Sequence, residues 1–364
     1  MKKRELGVGT VILSMACGLA IAARESVFPD WSPPGRNLAL GKSYTPAESS
    51  YPLCADPGDK TQLTDGQFAP DSPGMWHFKE TVGWSLTTIP LIFDLGEIRS
   101  IGGLSYSSET SPEPGVGLPR AILILVSDDG KDYRLVGELI ALATKYGPPP
   151  ERGRYKLLTD ELRTRGRFVQ LVIQSSIHIF VDEVEIYEGP SESLEREPQG
   201  PVVADPVKYL QDHVTSYAAA AFTAIDAARA RRRLTELGLA MDKRRLLDKR
   251  LEEIQRAARK LEPYKVDRDF RAIVPINALQ AEVFSVMARG YREAGYPEYW
   301  VWHTNRWLRL SPWDIPSRPK EREGVTLSVH LMQHERRGET FSVANFSSNP
   351  KTATITLRGL PGGS

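Results

Sequence analysis

Residues 54–78, CADPGDKTQLTDGQFAPDSPGMWHF, combine turn-forming residues with a short aromatic cluster. The stretch is rich in Asp, Gly and Pro, and it ends in Trp76, His77 and Phe78. Two interpretations are open. Turn-forming residues alone explain a long loop. An oxygen-rich loop also suits a hard cation, and rings beside a histidine suit a bound ligand. This stretch is therefore the first candidate for a functional site.

No catalytic motif accompanies this stretch. Residues 128–130 (DDG) are explained as a hairpin turn, because Asp-Gly supplies the positive φ angles that such a turn needs. His330, His334 and Glu335 lack the H-E-x-x-H arrangement that places two imidazoles and a general base on one helix face. On a strand the two histidines would share a face, but a third metal ligand is not evident. The sequence therefore contains no motif that favours an enzyme. It remains open whether the chain belongs to a larger hydrolase.

The amino terminus predicts export. A basic start at residues 1–4 precedes the apolar residues 6–23, and AIAA at 20–23 resembles a signal-peptidase cleavage site. The alternatives are a single membrane helix, for which the apolar run is nearly long enough, and a lipoprotein signal ending at Cys17. We predict a signal peptide over residues 1–23. The mature protein would then be secreted, periplasmic or part of the cell envelope, with no membrane span.

The composition is that of an ordinary folded protein. Of 364 residues, 41% are hydrophobic and 26% are charged, and the net charge is +1. This length suits two or three domains, and the balanced charge provides no overall field that would attract nucleic acid. Once a signal peptide is removed, Cys54 is the only cysteine left. No internal disulfide is then expected, and Cys54 is expected to be buried.

The stretch from residue 37 to residue 189 predicts a β-sandwich. Its segments are rich in β-branched and aromatic residues and are separated by turn signals, with no helical periodicity between them. The predicted strand segments are 89–96, 101–108, 120–139, 167–176 and 180–189. A Pro-rich leader at 24–36 precedes this domain, and a polar linker at 190–205 follows it.

Residues 206–295 predict a helical hairpin or a three-helix unit. One apolar stripe falls at helical spacing and consists of Leu247, Leu251, Ile254, Ala258 and Leu261. The basic residues of this region are interspersed with acidic ones, so we expect a solvated helix face rather than a nucleic-acid surface. A role of these helices in self-association is open.

The carboxy-terminal part predicts a Trp-rich connector at 296–324 and a partial β-domain at 325–364. The connector holds Trp300, Trp302 and Trp307 together with Trp313, which are four of the seven Trp residues. Two roles are open for these rings, namely packing at a domain junction and a platform on which a sugar stacks. About forty residues of strand pattern are too few to close a sandwich alone.

Five motifs in the order of the chain resemble the discoidin, or coagulation-factor type C, domain. They are NLALGKSYT at Asn37, LTDG at Leu63, IFDLG at Ile92, ILVSDDGKDY at Ile124 and VDEVEIYEG at Val181. The resemblance covers about residues 37–189 and implies a galactose-binding-like jelly roll that also serves as a carbohydrate-binding module. The predicted fold class is therefore mainly β. It comprises a jelly-roll sandwich, a helical segment and a partial C-terminal β-sandwich.

The resemblance also implies a structural calcium ion that joins the first and last strands. It places Asp65 and Glu183 at that site, with the backbone oxygens of Leu63 and Phe68 as further ligands. Calcium takes about six to eight oxygen ligands. The family usually continues "DG" with Asn and a Thr-x-Trp pattern, whereas here Gln67 follows. The alternative is that Asp65 only forms a turn and that Glu183 faces solvent on its strand.

The family binds ligands with loops at one end of the sandwich. The resemblance implies a stacking ring together with His or Arg groups for hydroxyls, and the candidates are Trp76, His77, Phe78, Arg163, Arg165 and His178. Trp84 is expected in the core instead, because tryptophan is buried on average.

Three functions follow as hypotheses. The first is an exported, non-catalytic protein that binds a glycan or another cell-surface ligand, which could be a protein. The second is a fragment of a secreted carbohydrate-active enzyme that the jelly roll directs to polysaccharide. The third is a structural or adhesion protein of the cell envelope in which the jelly roll mediates protein contacts, and self-association through the helices would favour it.

Overall fold

The computed structural model describes residues 31–45, 47–72, 74–260, 274–305, 307, 311–317, 338–352 and 354. The predicted signal peptide, Cys17, His330, His334 and Glu335 therefore lie outside the described residues, as does Leu261. Nine strands make the main sheet structure. They are β1 (Tyr44–Thr45), β2 (Val82–Ser85), β3 (Thr88–Thr110), β4 (Ala121–Ser127), β5 (Tyr133–Glu138), β6 (Gly153–Thr159), β7 (Thr164–Gln174), β8 (His178–Glu188) and β9 (Val202–Val203).

The long strand β3 belongs to two layers. Its first half pairs antiparallel with β7, from Thr88 to Asp94, and its second half pairs with β8 and β6, from Leu104 onward. The register shifts between Asp94 and Arg99, where Gly96 has a φ of 89°. A left-handed φ favours glycine, and a bulge of this kind bends a strand. The two halves of β3 thereby connect the two layers of an antiparallel sandwich.

One hydrophobic core lies between these layers. Fully buried side chains from both halves contribute to it, including Phe93 from the first layer and Trp84, Leu104 and Val181 from the second. The burial predicted for Trp84 is confirmed. The Asp-Gly hairpin between β4 and β5 is confirmed as well, with Gly130 at a φ of 76°.

Strand β4 is buried on both faces. Ile122, Ile124 and Val126 point into the sandwich core, whereas Leu123 and Leu125 belong to a second apolar cluster. A strand that is covered on both sides reads as a continuous apolar run rather than as an alternation. This explains the segment AILILVS of β4.

Four helices are described, and they are α1 (Leu139–Ala143), α2 (Pro206–Glu236), α3 (Met241–Ala258) and α4 (Ala278–Glu293). Helix α2 begins at the N-cap Asp205, whose side chain accepts a hydrogen bond from the Lys208 amide at 3.0 Å. Its Leu210 and Tyr217 cover the outer face of β4. The helical region therefore packs directly against the sandwich. Among the described helices none is long and apolar enough to span a membrane.

Helices α2, α3 and α4 share a second core. The predicted stripe on α3 is buried at Leu247, Leu251, Ile254 and Ala258. The predicted linker, 190–205, contains a single helical turn and β9, which pairs with β5 at Tyr133 and Arg134. Val202 and Val203 thus add a short edge strand to the sheet.

A small second sheet follows the helices. It consists of β10 (Tyr299–Thr304) and β11 (Thr340–Asn345) in antiparallel register. Trp300 and Trp313 pack against the helical core, and Trp307 is 81% exposed. The fold class predicted from the sequence, mainly β with a sandwich, a helical segment and a further small sheet, is confirmed.

Candidate functional site

Buried charged side chains anchor the irregular loop at residues 54–78. Glu109, on β3, accepts hydrogen bonds from the amides of Gly74 at 3.1 Å and Met75 at 2.9 Å. Asp182, on β8, accepts from the Ala69 amide at 3.0 Å and forms an ion pair with Arg154. A loop without regular structure needs such partners for its backbone groups. The sandwich therefore holds this loop in one shape.

The anchored loop presents its aromatic residues in a single helical turn, Met75–His77. Met75 is fully buried, Trp76 is half-buried and His77 is exposed. The preceding Gly74 has a φ of 90°, and a Cβ there would lie 2.8 Å from the His77 ring. Gly74 is thus required for the close turn that sets the direction of Trp76 and His77. Phe78, half-buried, mainly supports the loop, since its carbonyl accepts from the Thr81 hydroxyl at 2.7 Å.

His178 lies at the first position of β8, beside two hydroxyl groups. The Tyr51 hydroxyl is 2.5 Å from His178 Nδ1, and Ser85 Oγ is 2.6 Å from the same nitrogen. His178 Nε2 has no hydrogen-bond partner within the described part of the chain. It can therefore bond to a ligand hydroxyl, which both donates and accepts hydrogen bonds.

Phe180 brings the loop and the histidine together. Its ring centroid lies 4.8 Å from that of Tyr51 and 6.1 Å from that of Trp76. Tyr51 in turn contacts the His178 ring edge-on at 5.9 Å. We call Tyr51, Trp76, His77 and His178 the aromatic rim. Three of these four residues were predicted from the sequence, and the structure places them at one end of the sandwich.

Sequence reasoning missed Tyr51. No motif marks it, and its position three residues before the buried Cys54 gives only an indirect signal. Cys54 is 1% exposed, as predicted, and its thiol donates toward the Trp76 carbonyl at 3.1 Å. Burial raises the pKa of the Cys54 thiol. Cys54 therefore supports the rim as a neutral, packed side chain.

The two predicted arginines lie at the opposite end of the sandwich. Thr164, between Arg163 and Arg165, pairs with Ile101, which also pairs with Glu188 at the far end of β8 from His178. The 11 residues of β8 span roughly 35 Å at the usual rise of a strand. Arg165 contacts the Leu194 carbonyl and lies 3.2 Å from Asp128. The structure therefore does not bring Arg163 or Arg165 to the aromatic rim.

The structure brings the predicted cation ligands Asp65 and Glu183 close to each other. Both carboxylate oxygens of Glu183 accept from the Gly66 amide at 3.2 Å. Glu183 is 1% exposed, so the alternative that it faces solvent is wrong. The Leu63 carbonyl accepts from the Val184 amide at 2.8 Å and so lies beside the same strand position. A carbonyl oxygen has a second lone pair, which a cation can use.

The electrostatics of Glu183 favour an added positive charge. Burial, and then the neighbouring carboxylates of Glu185 and Asp65, raise the pKa of Glu183 to about 9. The Lys156 ammonium is 2.7 Å from Glu185 and 4.6 Å above the Phe68 ring. Lys156 is therefore already paired with Glu185, while Glu183 has no cationic partner within the described residues.

The donor set for a metal is small. Asp65 accepts from the Gln67 amide at 2.8 Å, so the turn interpretation of Asp65-Gly66 is also observed. Within the described residues no group of three or more His, Cys, Asp or Glu side chains could hold a metal ion. The remaining donors are two carboxylates and backbone carbonyls. Oxygen donors of this kind suit calcium rather than zinc.

Neither protein-family models nor curated proteins yield a match to the sequence. Solved structures do show similarity over less than half of the chain. A histidine mutant of the lectin binding domain of Lectinolysin complexed with Lewis b is 14% identical over 44% of this chain and 100% of that one, with a TM-score of 0.30. A Streptococcus pneumoniae fucose-binding module is 14% identical over 42% of this chain and 96% of that one, with a TM-score of 0.29.

SpGH29 is a longer protein with a similar segment. It is 16% identical over 43% of this chain, but the match covers only 28% of SpGH29, with a TM-score of 0.28. Structural similarity at TM-scores of about 0.3 gives no evidence about function. The chemistry of the site therefore rests on its own residues.

Proposed function

We propose that this chain is a non-catalytic glycan-binding protein and that the aromatic rim is its binding surface. One observation supports this above all, namely the convergence of Trp76 and His178 through Phe180 and Tyr51. A sugar ring offers an apolar C–H face for an indole and hydroxyls for polar donors. A half-buried Trp76 and the available Nε2 of His178, joined through Phe180 and Tyr51, suit both requirements.

The rim is held in shape before any ligand arrives. Glu109 fixes the turn that carries Trp76, and Ser85 and Tyr51 fix the His178 ring. Binding groups that are already ordered lose little conformational freedom on association. This rigidity supports recognition of a flexible, polar ligand such as an oligosaccharide.

The test is a glycan-array screen of the whole protein with Trp76→Ala as the decisive variant. We expect the wild type to bind at least one glycan class and Trp76→Ala to lower affinity about tenfold or more, because stacking and burial of an aromatic ring are lost. Trp307→Ala is the matched control, since Trp307 is 81% exposed and lies outside the rim. Equal binding by wild type and Trp76→Ala would contradict the proposal.

We further propose that the sandwich is a discoidin-type module with a calcium ion at Asp65 and Glu183, and that the protein is exported. The raised pKa of Glu183 and its closeness to the Asp65 turn support the first part. The basic and then apolar residues 1–23 support the second. Repeating the array with a chelator tests the ion, and amino-terminal sequencing of the protein from the extracellular fraction tests export.

A further inference from the structure

A second cleft lies between the sandwich and the helices, and none of the four rim residues lines it. One face of α2 forms its floor, the β7–β8 turn and the start of β4 form one wall, and α4 with Trp313 forms the other. The cavity measures about 710 Å³. Ligand sites in proteins commonly measure about 300–1,000 Å³. The cleft is therefore large enough for a small molecule or for one unit of a longer chain.

Trp313 is held in a fixed orientation in this cleft. Its indole Nε1 donates to Asp226 Oδ1 at 3.2 Å, and its ring packs on Phe284 with a centroid distance of 5.7 Å. Asp226 is 8% exposed, and its other oxygen accepts from Gln280 at 2.6 Å. Because the only hydrogen-bond donor of the Trp313 ring is already bonded to Asp226, the exposed part of the ring offers an apolar face. Trp313 is therefore a preformed platform for a flat, apolar ligand face.

The opposite wall carries a charged group that makes no ion pair. The exposed Arg120 lines this wall and forms no ion pair with the described residues. Its guanidinium can donate hydrogen bonds to a ligand that carries hydroxyl groups. Ser176 Oγ, on the same wall, also makes no hydrogen bond within the described residues, but it is inaccessible to solvent and therefore cannot reach a ligand in the cleft.

The charges of the cleft favour a neutral ligand. Arg229 lies 3.3 Å from Asp226 and 3.7 Å from Glu151, so its charge is balanced. An anion would meet both carboxylates, and a purely apolar ligand would cover the Arg120 guanidinium without a hydrogen bond to it. A neutral ring with one apolar face and several hydroxyls complements both walls. Its face can stack on Trp313, and its hydroxyls can bond to Arg120.

We propose that this cleft is a second binding site for a neutral pyranose ring, with Trp313 stacking on the sugar and Arg120 donating hydrogen bonds to its hydroxyls. The choice of a sugar as the ligand rests on the proposed function, whereas the existence of the cleft does not. The two sites are neighbours, because Ser176 lies two residues before His178 and the Gly117 amide donates to the His178 carbonyl at 3.0 Å. One glycan chain could therefore contact both.

Fluorine NMR of the whole protein labelled with 5-fluorotryptophan tests the cleft directly. The seven Trp residues give separate probes, and Trp313→Phe and Trp76→Phe assign the two resonances of interest. The titrants are the methyl pyranosides of glucose, galactose, fucose and N-acetylglucosamine. We expect at least one of them to shift the Trp313 resonance in a saturable manner.

Two further variants decide whether the sugar lies in the cleft. Ala218→Phe fills the cleft from its half-buried floor on α2 and should abolish the Trp313 shift. Arg120→Ala should weaken the titration about tenfold, whereas Arg163→Ala, an exposed arginine at the far end of the sandwich, should leave it unchanged.

The outcomes separate this inference from the proposed function. A shift of Trp76 alone overturns the cleft site and supports the rim. A shift of Trp313 alone supports the cleft and counts against the rim. No shift of either resonance overturns both, and a Trp313 shift that persists in Ala218→Phe overturns the cleft.

Discussion

Buried ionisable side chains, rather than regular secondary structure, hold the loop that carries Trp76. Glu109, Asp182 and Glu183 are each at most 2% exposed, and each accepts hydrogen bonds from loop amides. Of the three, Asp182 is paired with Arg154. Glu183 instead has carboxylates as its charged neighbours, which makes it the residue whose protonation couples most directly to stability.

The stability of the metal-free protein should fall as pH rises between about 4.5 and 9. The folded state keeps the proton of Glu183, whose pKa is about 9, while the unfolded state loses it near the ordinary value of 4.5. The unfolded state then binds fewer protons, so the free energy of unfolding decreases by at most about 1.4 kcal/mol per pH unit.

Denaturant unfolding of wild type and Glu183→Gln across this pH range, with EDTA or with calcium, measures the effect. Glu183→Gln should remove the Glu183 contribution to this slope, and calcium should reduce the slope only where Glu183 is present. Glu138→Gln is the comparison variant. Burial raises the pKa of Glu138 to about 7, so this substitution should remove a slope that ends near pH 7 and does not respond to calcium. Identical pH slopes for wild type and Glu183→Gln would rule out this role of Glu183.

At the scale of elements, β4 depends on α2 as much as on its own sheet. Leu123 is fully buried, and it faces Leu210 and Tyr217 on α2 rather than the sandwich core. Leu123→Ala should therefore lower the free energy of unfolding by about 2–5 kcal/mol through a cavity at the sheet–helix interface. Leu246→Ala on α3 is the control, since Leu246 is 55% exposed and should change stability by less than about 0.5 kcal/mol. Thermal or denaturant unfolding measures the stability of both variants. If Leu123→Ala is as stable as Leu246→Ala, then α2 does not cover β4.

Local patterns predicted the strands and the apolar stripe of α3, because periodic burial leaves its mark on neighbouring residues in the sequence. The contacts that build the rim leave no such mark. Tyr51 and His178 are 127 positions apart, and Arg154 reaches Asp182 from another strand. The resemblance placed Asp65 beside Glu183, yet it also placed Arg163 with Trp76, at opposite ends of the sandwich. Charged residues inside an apolar strand, such as Asp182 and Glu183 in β8, were the available signal.

At the scale of the whole molecule, the sandwich and the helices share apolar surfaces. Ala221 and Ile225 of α2 belong to the sandwich core, and Leu210 and Tyr217 cover β4. The sequence suggested a jelly roll that ends at residue 189 and is followed by a linker. In the structure Val202 and Val203, near the end of this segment, pair with β5, and α2 covers the outer face of β4.

A chain cut after residue 205 should therefore lose most of its stability. Removing α2 exposes the outer face of β4, including Leu123 and Leu125, and full burial of each leucine contributes about 1.5–3 kcal/mol. The loss approaches the total stability of an ordinary domain, about 5–15 kcal/mol. We expect a chain of residues 31–205 to bind a hydrophobic dye and to melt at a much lower temperature than the whole protein. A chain of residues 31–240, which keeps α2, should retain the sandwich. If residues 31–205 melt like the whole protein, then the helices are an independent appendage and the cleft between the two parts cannot have a fixed shape.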